Sequence, residues 1–108
     1  MDAKAMDIMK AKAEIFKALG HPARLLMVEE LSRGTRCVCE LQRLVGSDIS
    51  TVSKHLKILR RLRIVETEKS GTQVFYRLRL GCFATFTSCV EKFLQQRFQM
   101  EIGKKEDL

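Results

Sequence analysis

Residues 47–80 read SDISTVSKHLKILRRLRIVETEKSGTQVFYRLRL, and two periods meet in that stretch. Ile49, Val52, Leu56, Leu59 and Leu62 step by three and four, the spacing of one helix face. Ser47 or Asp48 stands where a helix N-cap is wanted. The outward positions are Ser50, Thr51, Ser53, Lys54, Lys57, Arg60 and Arg61, with hydroxyls near the start and cations near the end. From Ile64 the residues become β-rich: IVETEK, the turn SGT, then QVFYRLRL, which predicts a hairpin around Gly71. A polar-faced helix running into a hairpin suggests a reading head followed by a wing.

The flanks complete the pattern. Upstream, Val38, Leu41, Leu44 and Val45 predict a short inward-facing helix that stops at Gly46. Before it, Leu25, Leu26, Val28 and Leu31 mark a helix over about 22–33, ended by Gly34. Gly20-His21-Pro22 separates this from a first helix over about 4–19, striped by Met6, Met9, Ala13 and Phe16 and widened by Ile8, Ile15 and Leu19. Downstream, Phe83, Phe86, Val90, Phe93, Leu94 and Phe98 predict a last helix over about 82–99, and the remaining 100–108 reads as a polar, frayed tail. The expected architecture is mainly α with a β-hairpin wing: one winged helix–turn–helix domain over 1–108, with its core in about 4–99. The first and last helices carry more Phe, Ile and Met than one small core can cover, so a homodimer is expected.

Charge is concentrated where the reading head lies. The chain holds 20 Lys and Arg against 13 Asp and Glu, a net +7. Between Lys54 and Arg79 there are eight basic and two acidic residues, so this quarter holds almost all of the excess. A double-stranded DNA partner accounts for that better than a merely solvated face. Ser50, Thr51, Ser53 and Lys54 are the candidate groove contacts, Lys57 and Arg60 the candidate phosphate contacts, and Lys69, Thr72, Gln73 and Arg77 the wing contacts. No apolar run approaches the ~20 residues that span a bilayer, and the first residues lack an apolar leader, so a cytoplasmic protein without membrane contact is expected. An enzyme is not: no Gly-rich phosphate loop, carboxylate pair at metal spacing or nucleophile beside a His is present.

The four cysteines of a cytosolic chain are expected to be reduced. Cys37-Val38-Cys39 is the strongest chemical feature, since paired soft thiolates select thiophilic ions, and a helix start favours the thiolate. Two sulfurs are few for tight binding, so Cys82 or Cys89 is a possible third ligand, although both read more readily as interface hydrophobes. A thiol redox or sulfide switch is the alternative use of these cysteines. His21 and His55 have no partner at ligand spacing and are taken as structural.

HPARLLMVEEL (21–31), CVCEL (37–41), STVSKHLKILRR (50–61) and SGTQVFYRL (70–78) together resemble the ArsR/SmtB family of winged-helix metalloregulatory repressors. CVCEL is similar to the motif of its arsenite- and cadmium/lead-sensing branches. The resemblance implies a homodimer on a palindromic operator that leaves DNA when its effector, arsenite or another thiophilic ion, binds Cys37 and Cys39. Two positions depart from the family. Gln42 stands where arsenite sensors usually carry a third Cys, and Arg63 replaces the glycine that ends the recognition helix. The zinc branch uses His along the last helix, and 82–99 contains none.

Overall fold

The computed structural model describes residues 2–106, with side chains to Gln99. Helices α1 (Ala3–Leu19) and α2 (Pro22–Leu31) lead to a two-residue strand β1 (Arg36–Cys37), then α3 (Val38–Val45) and α4 (Ile49–Arg61). Strands β2 (Val65–Ser70) and β3 (Gln73–Leu78) follow, and α5 (Phe83–Glu106) closes the described chain.

The helix boundaries follow from local chemistry. Asp2 caps α1 by accepting from the Ala5 N–H at 2.7 Å, and His21 caps α2, whose first residue Pro22 has no N–H to satisfy. Gly46 ends α3 in the left-handed conformation, φ 77°, and its N–H reaches the Gln42 carbonyl. At the end of α4 the Ile64 and Arg63 N–H groups close on the Leu59 and Arg60 carbonyls, a Schellman motif, while Ile64 and Leu59 both join the core. Its left-handed residue is Arg63, φ 61°, so a residue with a Cβ sits where glycine is cheapest.

The expected wing forms. β2 and β3 pair antiparallel from Val65↔Leu78 to Ser70↔Gln73, leaving Gly71 and Thr72 as a two-residue loop with Gly71 at φ 63°. The sheet has a third strand that the sequence reading missed: β1 pairs with β3, Arg36↔Tyr76 and Cys37↔Phe75, in the order β1-β3-β2. Two residues are too few to leave a period-two pattern.

Met27, Val28, Leu31, Leu41, Val52, Leu56, Leu59 and Val65 form the centre of the core, and Phe83 locks α5 onto it. Leu25, Leu26, Leu44 and Ile49, expected inward, are exposed. α2 is apolar on more than one face, so its composition pointed to Leu25 and Leu26 when Met27, Val28 and Leu31 hold the buried stripe. Likewise α5 does not stop at 99 but continues to Glu106, its Lys and Glu residues being good helix formers, so the frayed tail is corrected as far as that residue. Residues 107 and 108 lie outside the described residues. Among the described residues no helix is long and apolar enough to cross a membrane.

Candidate DNA-reading face and cysteine site

Asp48 is the α4 cap: its Oδ1 accepts from the Thr51 N–H and from the Ser50 hydroxyl, both at 2.8 Å. The Thr51 N–H first, then the hydroxyls, hold the Asp48 carboxyl below its ordinary range. Ser47 does not cap. The inward residues Val52, Leu56 and Leu59 fix which face points out, and Ser50, Ser53, Lys54, Lys57 and Arg60 are all exposed along it, with Thr51 half-buried. From Ser50 to Arg60 this row is about 15 Å long at the helical rise, enough to lie along a major groove.

On the wing, Lys69, Thr72 and Gln73 are exposed around the tip. Arg77, expected as a wing contact, is paired within the wing. Its guanidinium is clamped on Glu66, which also takes Arg79 at 2.8 Å. The two arginines hold the Glu66 carboxyl low, and Glu66 in turn raises Arg77. Glu66 was visible in the sequence only as one of two acids in a basic stretch. Cross-strand register, Glu66↔Arg77, is what makes it a partner.

The two motif cysteines sit on different elements. Cys39 lies in the first turn of α3 and is exposed, whereas Cys37 is buried, extended (φ −82°, ψ 163°) and part of β1. The expectation that both open the helix is therefore corrected: Cys37 is the residue before it. Glu40 Oε1 accepts from the Cys37 thiol at 3.2 Å and from its backbone N–H at 3.5 Å. Those two bonds, with Arg36 and Arg43 behind them, hold the Glu40 carboxyl low. Arg36 also donates to Glu30 at 3.0 Å, tying β1 to α2. Cys82 immediately precedes α5, and Cys89 lies on it; both are exposed. Thiol chemistry suits a thiophilic ion. Yet among the described residues no group of three or more His, Cys, Asp or Glu is placed to hold a metal.

His21 and His55, separate in the sequence, come together with ring centroids 4.5 Å apart. His21 Nδ1 accepts from the Ala23 N–H at 3.1 Å, the structural role expected of it. Arg24, which the sequence reading passed over, lies 3.2 Å from His55 Nδ1.

A three-stranded sheet with a two-residue wing loop, beside a capped helix whose exposed face carries hydroxyls and cations, defines a winged helix–turn–helix DNA-binding protein. Residues 21–67 match the family model described as bacterial regulatory protein, arsR family. An HTH-type transcriptional regulator of Methanocaldococcus jannaschii is 40% identical over 72 residues, covering 66% of this chain and 81% of that protein. The repressor SmtB of Mycobacterium tuberculosis is also 40% identical over 72 residues, which span 67% of this chain but 53% of SmtB. Among solved structures, the Mycobacterium tuberculosis protein Rv0081 superposes with TM-score 0.77 at 32% identity, covering 88% of this chain and 96% of that one. The transcriptional repressor BigR of Xylella fastidiosa gives 0.72 at 33% identity, covering 86% and 96%. The chain belongs to the ArsR/SmtB family and is a transcriptional repressor, not an enzyme.

Proposed function

We propose that two copies of this chain bind a palindromic operator and release it when a soft metal or metalloid ion, arsenite foremost, is taken by Cys37 and Cys39. One observation carries the coupling. Cys37 belongs to the sheet that holds the wing, through its pairing with Phe75, while Cys39 belongs to α3, which packs beneath the reading helix. An ion drawing the two sulfurs together acts on that junction, so wing and reading helix are both displaced. Cys82 or Cys89 is the proposed third donor, supplied by movement of α5 or by the second copy.

Thiolate-to-metal charge transfer tests this directly. Anaerobic titration of the reduced protein with cadmium or arsenite should raise ultraviolet absorbance that saturates at one ion per site and disappears in Cys37→Ser/Cys39→Ser. No band, together with operator release on mild oxidation, would assign the cysteines to redox switching instead.

The dimer is supported by apolar surface that one copy leaves open. Met6, Met9 and Phe16 on α1 and Phe86, Val90 and Phe93 on α5 are exposed, and Phe16 meets Phe86 edge-on at 5.8 Å, merging the two stripes. A patch of this kind is what an isologous interface buries. At micromolar concentration the chain should sediment as a dimer and Phe93→Glu as a folded monomer; a monomeric wild type would overturn the assignment.

A further inference from the structure

The His21–His55 pair and Arg24 are not used by the cysteine site or by the reading face, yet they join three helices. Arg24 Nε donates at 2.6 Å to the Ala18 carbonyl at the end of α1. Its other end, Nη1, lies 3.2 Å from Nδ1 of His55, a half-buried residue on α4. We infer that Arg24 is a positioning residue for the reading helix, acting through a neutral His55, and that protonation of His55 breaks this hold and weakens operator binding.

The protonation state follows from donor counting. A guanidinium has only donors and keeps its charge, so His55 Nδ1 must present a lone pair. His55 is then the neutral tautomer with its hydrogen on Nε2. A proton added at Nδ1 would point at an Arg24 N–H and place two cations in contact. The charged and titratable groups facing the imidazole are His21, the α2 cap, and Arg24 of α2; Glu14 and Lys17 of α1 and Arg61 of α4 line a cleft that Arg24 also lines. α3 and β2 also pack on α4, and their buried core residues, Leu41 and Val65, are apolar. Burial first, then His21 and Arg24, hold His55 below its ordinary range. The sign is fixed by linkage: the folded state binds fewer protons, so the contact's contribution is whole above ~pH 7 and is lost as pH falls through about 6.5 and below. Electrostatics alone runs the other way, because an added positive charge strengthens DNA binding. Weakening on acidification is thus specific to the positioning role.

The inference rests on α4 being the reading helix, and the experiment separates the two. A duplex is selected from a random-sequence library by the full chain at about pH 8, and affinities are compared there and at about pH 5.5, either side of the ordinary histidine range. Wild-type affinity should fall by about fivefold or more, the lower end of common coupling. His55→Gln, whose amide oxygen accepts from Arg24 without titrating, should bind like the wild type at the higher pH and change by less than about twofold. Nitrogen chemical shifts of the wild-type imidazole should report the Nε2–H tautomer, and Arg24→Gln should raise the pH at which His55 titrates. That measurement needs no DNA and decides the matter if His55→Gln does not fold. Superimposable pH profiles of wild type and His55→Gln, or an Nδ1–H tautomer, would overturn the inference while leaving the function intact. A chain that selects no duplex at the higher pH would overturn the function and the inference together.

Discussion

Raising salt from about 50 to about 200 mM should loosen the operator complex by about four orders of magnitude, and Lys54→Ala should flatten that dependence. Lys54, Lys57, Arg60 and Lys69 are exposed, and among the described residues none of them is in an ion pair. Doubled in a dimer, they can neutralise about eight phosphates, and counterion release then gives a log–log slope of about −7. Arg77 is left out because Glu66 already holds it. Lys54→Ala removes one cation from each reading helix, so the slope should drop by about two and affinity by about tenfold, for operator and unrelated DNA alike. Arg77→Ala should cost less. Glu66→Gln should do the reverse, freeing Arg77 and Arg79 and tightening non-operator binding. Anisotropy of a labelled duplex across a salt series measures all four proteins, and a slope untouched by Lys54→Ala would mean that α4 is not the reading helix.

The difference between Lys54 and Arg77 shows where sequence reading works and where it stops. A helix period fixes an exposed face from one strand of residues, so Ser50, Ser53, Lys54, Lys57 and Arg60 could be placed outward from spacing alone. The hairpin was equally legible, since β-rich runs flank a Gly-bearing turn. A partner across a strand pair depends on register, and nothing local to Arg77 announces Glu66. The same limit hid β1. Arg36 and Cys37 have no pattern of their own, and their strand exists because β3 has an unpaired edge beside them. His21, Arg24 and His55 met only through the packing of α2 on α4. Arg63 was the opposite case. Its replacement of glycine was readable in the sequence, and it does take the left-handed conformation while keeping both Schellman hydrogen bonds.

Register also sharpens the largest effect expected of the cysteine site. Cys37→Ser/Cys39→Ser should repress like the wild type and lose the ion response altogether, where the wild type releases its operator by about 5- to 150-fold. Misfolding is a poor explanation for such a loss. Cys37 is buried, but it is the N-cap of α3, a position where Ser is the better residue and differs only in the oxygen for sulfur, and Cys39 is exposed. What the double variant removes is the link between two elements. The Cys37 thiol donates to Glu40, which ties the strand to the first turn of the helix. Ligation requires the thiolate, so it takes away the hydrogen that Glu40 accepts and leaves a carboxylate beside a bound, anionic sulfur. Both the Cys37–Phe75 pairing and the first turn of α3 then have reason to shift, and each leads to a different proposed DNA contact: the first to the wing through β3, the second to α4 through α3. Two heads in a dimer must match one groove spacing, so small displacements are enough. Single variants at Cys82 and Cys89 locate the third donor: whichever serine raises the ion concentration needed for release while sparing operator affinity supplies it. Release that persists in Cys37→Ser/Cys39→Ser would remove the strand–helix junction from the mechanism and place the sensor on α5.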